Sequence, residues 1–141
     1  MKHSQVHAAF ARAMRAAVNK DDWGRAVARG ELKFMGLICN MVLLIDVIVI
    51  HVGGRRQVKG SCSLNVFNCG GQLDINARGS IHFVVSDTAV GDGMHYFKVA
   101  LADVRTQLTA SAEFLAVAER AQLVASHPRS SSAPSRRQGR L

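Results

Sequence analysis

Between Met41 and Val52 ten of twelve residues are apolar, interrupted only by Asp46 and His51. In an extended chain Met41, Leu43, Ile45, Val47 and Val49 share one face, while Val42, Leu44, Ile48, Ile50 and Val52 share the other. A strand that is greasy on both faces demands cover on both. The β-branched density from Ile45 to Val52, and the stop at Gly53-Gly54, favour a central strand over a buried helix. A single membrane span over residues 35–52 is the rival reading. It would be short for a bilayer and would place Asn40 and Asp46 in hydrocarbon. The carboxylate alone costs about 2.5–3.5 kcal/mol there, against about 0.3–0.6 kcal/mol returned by each Leu, Ile or Val. Arg25, Arg29 and Lys33 precede the stretch and Arg55, Arg56 and Lys59 follow it, so charge sets no orientation across a membrane.

The chain of 141 residues is long enough for one domain with its own core, expected over residues 1–126. From His3 to Asn19 the residues Val6, Phe10, Met14 and Val18 recur every four positions, which predicts a helix with one core stripe. Asp21 and Asp22 supply N-cap chemistry for a second helix from Trp23 to about Phe34, weakened by Gly24 and Gly30. Trp23, the only tryptophan, is expected to clamp that helix onto the core. Beyond the central strand, Gly53-Gly54-Arg55-Arg56 reads as a hairpin turn. Further strands are expected over Gln57–Phe67, Gln72–Arg78, Ile81–Val85 and Met94–Leu101, separated by turns at Asn68-Cys69-Gly70-Gly71, at Arg78-Gly79-Ser80 and across residues 86–93. From Ala102 to about Ser126 the period becomes helical. The expected fold is α+β: two N-terminal helices, a five-stranded antiparallel meander, and a C-terminal helix packed on the sheet. Residues 127–141 are rich in Ser, Arg and Pro and hold no acid, which predicts a disordered basic tail.

A formal charge of +8, with arginine outnumbering lysine 13 to 5, favours acidic partners. The leading expectation is a small basic non-enzymatic binding or assembly module that contacts nucleic acid through Arg12, Arg15, Arg55, Arg56, Lys59 and the tail residues Arg129, Arg136, Arg137 and Arg140. The plain alternative is that the surplus charge serves solubility alone. Asp46, His82, His95 and Tyr96 form a second expectation, a helix–sheet cavity that takes a small ligand or does catalysis. Self-association of the apolar strand into a homo-oligomer is a third. Cys39, Cys62 and Cys69 make neither a paired metal motif nor an even disulfide set, which points to a reducing compartment, cytoplasmic or nucleoid-associated or nuclear. Cys62 and Cys69 with His82 and His95 are too widely spaced to predict zinc, and no cofactor is expected. Gly91-Asp92-Gly93 lacks the strand-to-helix setting of a phosphate loop. Arg129 to Pro134 resembles the phosphoserine motif read by 14-3-3 proteins, with arginine three before Ser132 and proline two after it, which implies a phosphoserine-reading partner once Ser132 is phosphorylated.

Overall fold

The computed structural model describes residues 2–71, 73–85 and 93–126. The chain runs α1 (His3–Lys20), β1 (Trp23–Phe34), β2 (Leu37–Val52), β3 (Arg55–Phe67), β4 (Ala77–Val85), α2 (Gly93–Ala110) and α3 (Ala112–Ser126). The strands form one antiparallel sheet in the order β1-β2-β3-β4, a meander in which each strand pairs with its neighbour in sequence. The α+β class and the meander agree with the sequence pattern. The number and identity of several elements do not.

The segment Trp23–Phe34 is a strand, not a second helix. Asp21 does not open a helix; it closes α1 in the left-handed conformation at φ 54°, and the chain turns back from there. Gly24, Ala26 and Ala28 point inward while Trp23, Arg25, Val27 and Arg29 point outward, a strict alternation of period two. Packing overrides the helix preference of the alanines, because small side chains let α1 lie directly on the strand. A Cβ at Gly24 would collide with the backbone carbonyl oxygen of Ala13.

The sheet has four strands rather than five. Met94–Leu101 belongs to α2: Phe97, Ala100, Val104 and Leu108 are its buried residues, a helical stripe that a window ending at Leu101 cuts short. Residues 73–76 approach β4 without forming a strand of their own, although Leu73 makes an isolated bridge with Cys69. No turn occurs at Gly79, which sits inside β4. Its missing side chain makes room for α2, since a Cβ there would lie 2.7 Å from the Ala100 carbonyl oxygen. The C-terminal helical region is two helices, α2 and α3, broken at Ser111, whose hydroxyl accepts a hydrogen bond from the Phe114 amide. The expected turn at Gly53-Gly54 is present with both glycines at positive φ, 58° and 76°, as a two-residue hairpin requires. The stretch weighed as a membrane span is mostly strand β2, and among the described residues no helix is long and apolar enough to cross a membrane. The proposed tail contacts Arg129, Ser132, Arg136, Arg137 and Arg140, the expected disorder of the tail, and the 86–92 loop lie outside the described residues.

Helices α1 and α2 lie side by side on one face of the sheet, α1 over β1 and β2, α2 over β3 and β4. Between them and the sheet, Met41, Leu43 and Ile45 of β2 are buried together with Cys62, Leu64 and Val66 of β3. The rings of Phe10, Phe83 and Tyr96 close that layer, with Phe83 stacked on Tyr96 at 4.2 Å between centroids. At the far end α3 inserts Phe114 beside Phe34, their centroids 5.6 Å apart. Gln107 pins α2 to the outer edge of β4: its amide oxygen accepts from the Arg78 N–H at 3.0 Å and its amide nitrogen donates to the Arg78 carbonyl.

Adjacent residues of β2 therefore carry different loads. In urea unfolding, Leu43→Ala is expected to cost about 2–5 kcal/mol, because it empties a fully enclosed site. Leu44→Gln, one residue along on the other face, is expected to cost less than about 1 kcal/mol. Equal losses at the two positions would mean that both faces are covered in the isolated chain.

Candidate functional site

The helices leave the other face of the sheet bare. Side chains on this outer face form rows across the strands: Trp23, Ile48, Lys59 and Val84; then Arg25, Asp46, Ser61 and His82; then Val27, Leu44, Ser63 and Ser80; then Arg29, Val42, Asn65 and Arg78. A sheet packed on one side normally turns polar residues outward. Strand β2 instead turns out Ile38, Val42, Leu44, Ile48 and Ile50, relieved only by Asn40 and Asp46. Among the described residues eight large apolar side chains stand exposed, and five of them, Trp23, Val27, Ile48, Val52 and Val84, belong to this face. Clustering on one surface separates them from the scattered apolar exposure of any globular protein.

The polar groups lie beside and between these apolar side chains. Arg25 lies opposite Asp46 in register, and its Nε donates to Asp46 Oδ1 at 2.7 Å. That hydrogen bond, with the attraction between the charges, raises the Arg25 pKa above its ordinary value. Arg29, Lys33, Lys59 and Arg78 also face outward and are exposed, while the carboxylates on this face are Asp46 and Glu31. At one end the face dips into an open groove of about 740 Å³ lined by Trp23, Ile48, Lys59, Ser61, His82 and Val84. Its lining runs from Ile48 on β2 across Lys59, Gly60 and Ser61 of β3 to Val84 on β4. Trp23 is 51% exposed at the rim, with the Lys20 ammonium 4.2 Å from its ring centroid, so it does not clamp the core.

The expected pocket of Asp46, His82, His95 and Tyr96 is divided by the sheet. Asp46 and His82 share one row of the outer face and line the groove. Tyr96 lies on α2 in the aromatic layer of the inner side, and His95 meets its ring edge-on at 5.4 Å. The expected cations separate as well. Lys59 is on the outer face; Arg15 lies on α1; Arg12, also on α1, donates to the Val27 carbonyl at 3.4 Å. Arg55 begins β3 opposite Val52 on the outer face, while Arg56, opposite His51, comes within 3.9 Å of Asp21, and His51 meets the same carboxylate at 3.0 Å. Arg25, Arg29, Lys33 and Arg78, which gather with Lys59 on one face, escape a reading of β1 as helix and of Gly79 as turn. The signal for the first three was the alternation of small and charged residues from Gly24 to Lys33.

All three cysteines lie on the inner side and are wholly buried. Cys39 and Cys69 are neighbours where the Gly70 amide donates to the Ile38 carbonyl at 2.9 Å, and their hydrogen bond, followed by burial, raises the Cys39 thiol far above its ordinary value. Burial pushes the Cys62 thiol up to about 12. Neither His82, on the opposite face, nor His95, exposed on α2, is brought to Cys69 as a base. Among the described residues no three metal-ligating side chains come together. Comparison with protein-family models, with curated proteins and with solved structures finds no match to this chain.

The burial of the thiols has a direct chemical consequence. At about pH 8, close to the ordinary thiol pKa, an aromatic disulfide reagent is expected to leave the folded protein untouched. After denaturation it should titrate three thiols. A full equivalent reacting in the native state would show that one cysteine is accessible and ionised.

Proposed function

We propose that this chain is a small non-enzymatic binding or assembly module that docks a macromolecule on the outer face of its sheet. One observation carries this reading: β2 is apolar on both faces, while the chain's own helices cover only one. Leaving that second row of aliphatic side chains in water forgoes about 25 cal/mol for each Å² of apolar surface that a partner could bury. The arrangement also combines features of protein-binding surfaces, an aliphatic strip flanked by arginine and an exposed tryptophan.

Nucleic acid is a second reading, favoured by the presence of Arg25, Arg29, Lys33, Lys59 and Arg78 along the same face, with Trp23 at one end of it. Phosphate contacts from such a surface would be salt-sensitive and largely indifferent to sequence.

Photocrosslinking in the native host separates these readings from each other and from no docking at all. A benzophenone side chain at position 27 or 48, on the outer face, is expected to trap a macromolecular adduct. The same group at position 102, exposed on α2, should trap little. Protease sensitivity of the trapped mass identifies a protein partner, and nuclease sensitivity identifies nucleic acid. Equal trapping from the two sides of the molecule would contradict the proposal.

A further inference from the structure

The composition of the outer face goes further, to the chemistry of what it holds. We infer that its occupant is an acidic amphipathic α-helix of a partner protein, laid along β2 with its apolar side on Val27, Leu44 and Ile48 and its carboxylates toward Lys59 and Arg78 on one flank and Arg29 on the other. This rests on the docking reading above and adds the identity of the partner.

Dimensions support a single helix. Four strands span roughly 14 Å at about 4.8 Å spacing, and the nine residues of β4 run for about 30 Å. A helix is about 10–12 Å across and needs about 18–20 residues to cover that length. The relief of the face suits the same shape. Along β3 the outward residues Ser61, Ser63 and Asn65 are short or polar, and they lie between the aliphatic row of β2 and the His82–Val84 side of β4. A helix presenting large apolar residues at i, i+3, i+4 and i+7 would set them on the β2 row, with its polar flank over the short β3 side chains.

Charge selects among occupants. The face turns out Arg25, Arg29, Lys33, Lys59 and Arg78 against Asp46 and Glu31, and Asp46 is already bonded to Arg25. Two copies of the chain stacked face to face would set cations against cations, whereas an acidic surface is complementary to this rim. Nucleic acid would satisfy the charges but not the aliphatic row of β2. Single strands bind by stacking successive bases on aromatic side chains. Here the outward row of β2 is aliphatic rather than aromatic, and the tryptophan stands at one end with an ammonium already over its ring.

The chain's one tryptophan is at the groove rim, so its fluorescence reports directly on occupancy. The probe is a synthetic peptide of about 18 residues with leucine at i, i+3, i+4 and i+7 and glutamate on the opposite side. A scrambled peptide of the same composition and an oligothymidylate serve as comparisons, with light scattering at each protein concentration. The patterned peptide should shift the Trp23 emission saturably and bind at least about tenfold more tightly than its scramble. The double variant Lys59→Glu/Arg78→Glu, with an unchanged melting temperature, should weaken it by at least about tenfold. A patterned peptide carrying lysine in place of glutamate should recover affinity for that variant. Equal binding of patterned and scrambled peptides overturns the inference. So does preferential binding of oligothymidylate, or self-association that shifts Trp23 without peptide, and each of these keeps the face as a docking surface with a different occupant. If nothing moves the Trp23 signal, the docking reading falls with it.

Discussion

Burial of one row of β2 side chains under two helices is the interaction on which the rest of this structure depends. Met41, Leu43, Ile45, Val47 and Val49 form the inner row, and β2 exchanges ladder hydrogen bonds with β1 on one edge and β3 on the other. Each such side chain is worth about 1.5–3 kcal/mol when fully enclosed, so this strand anchors the sheet as well as the core. The helices can reach it because their landing sites are made of little. Gly24, Ala26 and Ala28 receive α1, and Gly79 receives α2. Where the floor is small the helices bring the bulk, with Phe10 and Met14 from α1 and Phe97 and Val104 from α2.

The same geometry creates the asymmetry that gives the molecule its surface chemistry. A strand side-chain pattern has period two, so placing one row inward commits the other row outward. In most one-sided sheets the outward row is polar and the matter ends there. In β2 it is aliphatic, while the outward rows of β1, β3 and β4 carry the cations, the serines and His82. The apolar strip and its charged border are thus two consequences of one register. Shifting β1 by a single residue would turn Arg25 and Arg29 toward the helices and remove both the core floor and the rim.

Much of this is legible in the order of the residues alone. The four-residue rhythm of Val6, Phe10 and Met14 gives α1, the doubly apolar run gives β2, and the Gly53-Gly54 pair gives the hairpin into β3. What misled was local chemistry with two uses. Asp21 and Asp22 look like an N-cap, yet Asp21 ends α1; Gly79 looks like a turn, yet it is a landing site for a helix. The short alternation of Met94–Leu101 fits a strand until Val104 and Leu108 extend it into a helical stripe. These choices are decided by contacts distant in sequence, which no local window contains. The site suffered from the same errors: with Trp23–Phe34 read as a helix, Arg25 and Arg29 could not be placed beside Lys59. The demand that β2 be covered on both faces is nevertheless visible in its residues, and the described residues meet that demand on one side.

That one-sidedness can be measured on the isolated protein by methyl NMR with a soluble gadolinium chelate, which broadens only those methyl groups that solvent reaches. Inner-row methyls of Leu43, Ile45 and Val47 should be protected, and outer-row methyls of Val27, Ile48 and Val84 strongly broadened. Protection of both rows at low protein concentration would contradict the account, because the chain would then already be covering the face it is proposed to offer to a partner.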